Sequence, residues 1–149
     1  MANVVPYSFA QELLKGTHNF PTNTIYIALY EAGSGAPYAV SDTAYSSGVA
    51  NQVGTSGTGY TTGGKVLQNG TVANQTNVAT VTFDTISWTS ATFGAAYGVL
   101  YNNSASDKLI VVLDFGGTKS CSNGTFTITF PSTSSGTPAG TDSLISITS

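Results

Sequence analysis

From Lys65 to Phe130 the chain runs almost wholly in period two: short stretches alternate apolar and polar side chains, and glycine, asparagine or proline ends most of them. Successive side chains of an extended backbone point to opposite faces, so this alternation selects half-buried strands and disfavours helix. Thr125–Phe130 (TFTITF) sets Phe126, Ile128 and Phe130 against threonines and stops at Pro131. Val78–Phe83 sets Ala79, Val81 and Phe83 against Thr80 and Thr82, and Ile86 and Trp88 extend the pattern. Ala95–Tyr101 carries Tyr97, Val99 and Tyr101 on one face, with Gly98 leaving room on the other. Lys108–Phe115 (KLIVVLDF) is the most apolar run and predicts a central strand broken by Gly116–Gly117. Lys65–Gln68 and Gly70–Val72 flank an Asn69-Gly70 turn, and Asn123-Gly124 reads as a second tight turn, because Asn-Gly accepts positive φ at low cost. Ser132–Asp142 is polar and turn-rich, and Leu144–Ile147 offers a last short strand. Short strands at roughly ten-residue spacing predict an all-β, single-domain β-sandwich or jelly roll. Residues 1–149 form one domain, since the length suits one and neither a repeat nor a linker divides it.

The first third of the chain reads differently. Ser8 with Gln11 predicts a capping box, Phe9, Leu13 and Leu14 one side of a short N-terminal helix, and Gly16 its end. Thr24–Tyr30 (TIYIALY) is apolar or aromatic on both faces. Such a strand is central in a sandwich or covered by a neighbouring subunit, and with so little surface charge it predicts a homo-oligomer. Residues 31–64 form a long irregular loop region, rich in glycine, serine and tyrosine. Within it, Gly57–Gly64 (GTGYTTGG) displays Tyr60 but lacks the lysine–serine pair of a phosphate loop. Tyr7, Tyr38, Tyr45 and Tyr60 are the expected protein-interface residues, because tyrosines in irregular backbone offer contact area at low entropy cost. On that reading, Tyr60→Ala weakens attachment and spares the melting temperature.

Charge decides which partners are open. Four lysines and no arginine stand against seven acids, for a net charge of −3. That supply cannot neutralise a phosphate backbone or an anionic bilayer, so neither nucleic acid nor membrane is expected as a partner. Met1–Phe20 has neither a long apolar run nor a small-residue cleavage pattern, so no signal peptide is expected. Cys121 stands alone, which excludes an internal disulfide and a thiolate cluster, and it reads as a small turn residue. The aspartates at 42, 84, 107, 114 and 142 are dispersed, without a calcium-loop spacing. No metal and no cofactor are expected.

A catalytic reading has little to work with. Any serine or cysteine nucleophile would need His18, the single histidine. It sits just past the helix and reads as a half-exposed linker residue. Asp84 and Asp114 are a conceivable glycosidase pair, but Asp114 lies inside the strongest strand and is expected to pair with a lysine or cap a turn. Trp88 offers either a sugar platform or a core filler beside Phe83 and Phe93, and the core role is preferred. The chain is therefore not expected to be an enzyme.

Six segments together resemble a group of small virion proteins of tailed bacteriophages. They are Ser8–Phe20 (SFAQELLKGTHNF), Thr24–Tyr30, Gly57–Gly64, Trp88–Asn102 (WTSATFGAAYGVLYN), Val112–Gly116 (VLDFG) and Ser122–Pro131 (SNGTFTITFP). The resemblance implies a β-sandwich or jelly-roll subunit that assembles on the particle, made in the host cytoplasm. The leading expectation is a capsid cement (decoration) protein that binds the major capsid protein and stabilises the shell. Cement proteins of this size often form trimers, so the expected oligomer is a homotrimer. A neck or tail structural component is the alternative within the same class. A carbohydrate-binding module on the virion surface, using Trp88 or Tyr60, is the alternative from another class. The resemblance carries over no catalytic residues.

Overall fold

The computed structural model describes residues 3–75, 78–131 and 145–148. One helix, α1 (Tyr7–Leu14), precedes seven strands: β1 (Ile25–Tyr30), β2 (Lys65–Val66), β3 (Thr71–Gln75), β4 (Val78–Thr82), β5 (Ile86–Asn102), β6 (Lys108–Ile128) and β7 (Ile145–Thr148). They form two antiparallel sheets, ordered β2-β1-β5-β6 and β3-β4-β7. The fold is thus all-β with one short N-terminal helix. The reading of Ser132–Asp142 as turns lies outside the described residues.

Strand β1 lies between β2 and β5, and five of its six residues are buried. Ile25, Ile27 and Leu29 enter one apolar cluster with Phe20, Val81, Trp88, Leu100 and Phe126. Ala28 and Tyr30 enter a second, on the opposite face, with Tyr38, Val99, Tyr101 and Val112. Both faces of this strand are therefore covered within one chain. The two apolar faces that suggested a neighbouring subunit are satisfied by the protein's own loop region and its other strands.

Ile86 and Trp88, expected to extend the Val78–Phe83 strand, belong instead with Ala95–Tyr101 to one strand, β5, and the expected separate strands at 108–115 and 125–130 merge into one strand, β6, which ends at Ile128. What the sequence suggests as breaks are irregularities inside a continuous ladder. Between Ala95↔Lys119 and Tyr97↔Asp114 the ladder steps further along β6 than along β5, and Gly116 and Gly117, both at positive φ, lie in the surplus. Ile110 is the extra residue between Leu100↔Val111 and Tyr101↔Leu109. Such bulges bend a strand and increase its twist. The bend lets Trp88, Phe93 and Phe126 from the far end of the ribbon share one cluster with Ile27, Leu29 and Leu100 from the near end. Asn123, at φ 47°, is likewise a bulge within β6 and not a hairpin turn.

Asn69-Gly70 is not a hairpin turn either. It carries the chain from β2 in one sheet to β3 in the other. A Cβ on Gly70 would run into the carbonyl of Phe20 and the ring of Phe83, so glycine here permits close packing between the sheets. The room beside Gly98 is filled by Phe115 and Ile27. The helix also starts differently from expectation: Pro6 is its N-cap, and the buried Ser8 hydroxyl has no partner among the described residues. Proline at such a start loses nothing, since the first N–H groups have no partner inside the helix. At the other end Gly16, at φ 71°, takes the expected role. Its N–H bonds the Leu13 carbonyl, and the Thr17 N–H bonds that of Glu12, which is the Schellman pattern.

Candidate functional site

The most concentrated set of chemically capable side chains lies beneath α1. Glu12 comes from the helix, His18 from the turn after it, Asn102 from the end of β5 and Lys108 from the start of β6. The Schellman turn folds the chain back under the helix, which sets His18 beside Glu12. Glu12 Oε2 lies 3.1 Å from His18 Nε2, and Glu12 Oε1 lies 3.5 Å from Lys108 Nζ. Asn102 Nδ2 is 3.1 Å from His18 Nδ1, 2.8 Å from Asn23 Oδ1 and 3.4 Å from the Thr17 carbonyl. An amide NH₂ only donates, so Nδ1 accepts and the ring proton sits on Nε2, donated to Glu12. This tautomer is assigned from the partners; the reverse amide orientation would set the Asn102 oxygen against two acceptors.

His18 is therefore not a half-exposed linker residue. Its side chain is fully buried, stacked on Phe20 at 6.2 Å and tilted against Phe9 at 5.2 Å. A catalytic base needs a nitrogen that can reach a substrate proton. Here both ring nitrogens face protein groups, so the cluster ties helix, turn and sheet together. Sequence reading missed it because Glu12 and His18 are separated by a helix end. The legible hint was Glu12 itself, three residues after Phe9 and thus on the buried helical face. Leu14, assigned to that face from the sequence, is 91% exposed.

An apolar groove of about 410 Å³ lies beside the cluster, between the turn at 16–21 and the three-stranded sheet. Phe20, Val81 and Ile145 line it, together with the buried ring of His18.

The four tyrosines expected at an interface fall in different places. Tyr7 is 76% exposed, whereas Tyr38 and Tyr60 are buried and Tyr45 is half-buried. The inward rings stitch residues 31–64, which contain neither helix nor strand, onto the sheet. The Tyr60 hydroxyl accepts the Leu29 N–H at 2.9 Å. Gln52 Nε2 donates to the Tyr45 hydroxyl at 2.8 Å. Tyr38 Oη accepts the Ser46 N–H and donates to the Ser46 carbonyl, so Tyr30 Oη, 3.2 Å away, donates to it. Tyr101 is stacked between Tyr45 at 4.1 Å and Tyr26 at 5.5 Å, and its hydroxyl donates to the Gly63 carbonyl. Burial holds the phenols in their neutral form: Tyr60 is pushed up to about 12, and Tyr30, Tyr45 and Tyr101 are also raised. The expectation of outward-facing Tyr38 and Tyr60 fails because burying an aromatic ring is favourable wherever its hydroxyl can find a partner.

Asp84 accepts from Asn69 Nδ2 at 2.6 Å. Asp114 accepts the Gly116 N–H at 2.8 Å, which lowers its pKa and caps the bend, as the sequence suggested. Trp88 fills the core, 6.3 Å from Phe93 and 6.1 Å from Phe126. Cys121 lies within β6, half-buried, its thiol 3.7 Å from the Phe93 carbonyl. Among the described residues no group of three His, Cys, Asp or Glu side chains could hold a metal ion, and no helix is long and apolar enough to cross a membrane. Comparison with known proteins gave no match to a family model, a curated protein or a solved structure.

Proposed function

We propose that this chain is a non-catalytic structural subunit of a virus particle and, within that class, a capsid cement protein. The observation that carries this reading is the locked state of the chain's single histidine: His18 spends both nitrogens, on Glu12 and Asn102, in holding the fold together. What faces outward along the bent ribbon is serine, threonine, asparagine and glycine, with Lys119 as the charge between residues 116 and 125. A surface of that kind lies against another protein with little charge desolvation. The resemblance to small virion proteins of tailed phages supplies the setting, with the major capsid protein as partner and a homotrimer as the assembly unit. Weak single contacts suffice in that setting, because many copies on one shell act together.

A neck or tail role is the second reading, supported by the same surface. The saccharide-binding reading has lost its platform: Trp88 and Tyr60 are 1% and 3% exposed and offer no ring face to a sugar. Quantifying the protein against the major capsid protein in purified particles tests the proposal. Copies comparable in number to capsid subunits support the cement role, a few copies per particle move the protein to the neck or tail, and its absence from particles refutes both.

A further inference from the structure

We infer that Asn123 is a site of spontaneous deamidation, the one of the chain's two Asn-Gly pairs that the folded protein leaves free to react. In this reaction the main-chain nitrogen of the following glycine attacks the side-chain amide carbon. The new C–N bond closes a succinimide ring, and ammonia leaves with the proton that the glycine nitrogen gives up. Water then opens the ring. The product is aspartate or, when the other carbonyl is attacked, isoaspartate, whose main chain is longer by a methylene. Water is the single co-reactant, and the solvent supplies it.

The two pairs are alike locally and differ in what surrounds them. Both read Asn-Gly-Thr, both asparagines are exposed, and both hold positive φ, 52° at Asn69 and 47° at Asn123. At Asn69 the amide is already engaged, with Nδ2 donating to Asp84 Oδ2 at 2.6 Å. Conversion there breaks that bond and ends with a second carboxylate against Asp84, a like-charge pair. Space is also short, because even a Cβ on Gly70 would run into the Phe20 carbonyl and the Phe83 ring. At Asn123 the main-chain N–H donates to Thr92 Oγ1 at 2.9 Å, but the side chain has no partner among the described residues. A Cβ on Gly124 would find its nearest neighbour, the Ser122 carbonyl oxygen, at 3.7 Å. Gly124 does pair with Ala91 of β5, yet the ladder shifts register on both sides of that rung. Bringing the Gly124 nitrogen onto the amide carbon therefore disturbs little regular pairing, and proximity is what ring closure requires. Each conversion adds a negative charge to a stretch, residues 116–125, whose charge is otherwise that of Lys119. The site stands whether or not the virion reading does.

Ageing the full chain in mildly alkaline buffer and mapping it by mass spectrometry tests this. Cleavage after lysine puts Asn69 and Asn123 on different peptides, 66–108 and 120–149, and the amide-to-acid mass change locates each conversion. In the folded protein Asn123 should convert faster than Asn69 by roughly tenfold or more, for which a barrier difference of about 1.4 kcal/mol suffices. The chain unfolded in guanidinium chloride is the reference, and there the two pairs should convert at similar rates. Equal rates in the folded protein overturn the inference, as does an Asn123 that stays intact there while converting in the unfolded chain. Gly124→Ala, which crowds the attacking nitrogen, should slow the loss of ammonia at Asn123. An unchanged rate in that variant would mean direct hydrolysis and refute the ring.

Discussion

Tyr60 is the residue whose role changes most between the linear text and the folded chain. In sequence it sits among glycines and threonines, as if displayed to solvent. In the fold its ring joins the core, 5.9 Å from Phe93, and its hydroxyl satisfies the main-chain N–H of Leu29. Removing that hydroxyl leaves a buried donor without a partner, which costs roughly 1–3 kcal/mol. Tyr60→Phe is therefore expected to lower stability by about that amount, and Tyr60→Ala by about 3–5 kcal/mol once the cavity is included. Denaturant titration of both variants checks the order. An unchanged midpoint for Tyr60→Ala would return the residue to the surface role its sequence context suggests.

The long β5–β6 ribbon shows how an element can be read correctly in its parts and wrongly as a whole. Alternation locates nearly every stretch of it, and Gly116–Gly117 reads as a stop. Glycine at positive φ is compatible with a chain end, a turn or a bulge, and local sequence cannot choose among these. The choice is made by the partner strand, since the ladder resumes on both sides of the glycines. A side chain at Gly116, φ 69°, meets open space, so the cost of substitution is conformational alone. Gly116→Ala should destabilise by roughly 1–2 kcal/mol, the usual penalty for a left-handed non-glycine residue. Thermal melts read that loss, and a neutral result would mean that the bend is not held at this residue. Among the described residues, β6 is also the outer strand of its sheet, with no further strand paired on that edge.

At the scale of the molecule, the tyrosine network makes a prediction about base. Burial raises Tyr60 to about 12, and Tyr30, Tyr45 and Tyr101 lie above their ordinary value as well. In the unfolded chain these phenols ionise near about 10. A raised folded value means the native state holds its protons longer than the unfolded state does. The stability from these groups is whole below about pH 10 and declines as pH climbs toward the folded values. Unfolding followed by circular dichroism should therefore coincide with phenolate absorbance, and both should lie above pH 10. Free titration of all the tyrosines near about 10 with the fold intact would contradict the buried network.

The sequence by itself determined the fold class, because period-two patterning is a local property that any strand pairing must respect. It also determined the helix stop at Gly16 and the two apolar faces of Ile25–Tyr30, whereas the central place of that strand came from the sheet order. Which residues come together was decided only by the tertiary structure. Glu12, His18 and Asn102 are scattered along the chain and meet because a Schellman turn and the end of β5 happen to close on one point. Tyr38 and Tyr60 turned inward for the same reason: the vacant face of β1 lay within reach of residues 31–64, and ring burial with a satisfied hydroxyl outweighed exposure. Pattern fixes what a segment is locally; the pairing of segments distant in the chain depends on loop closure and packing, which no local window contains.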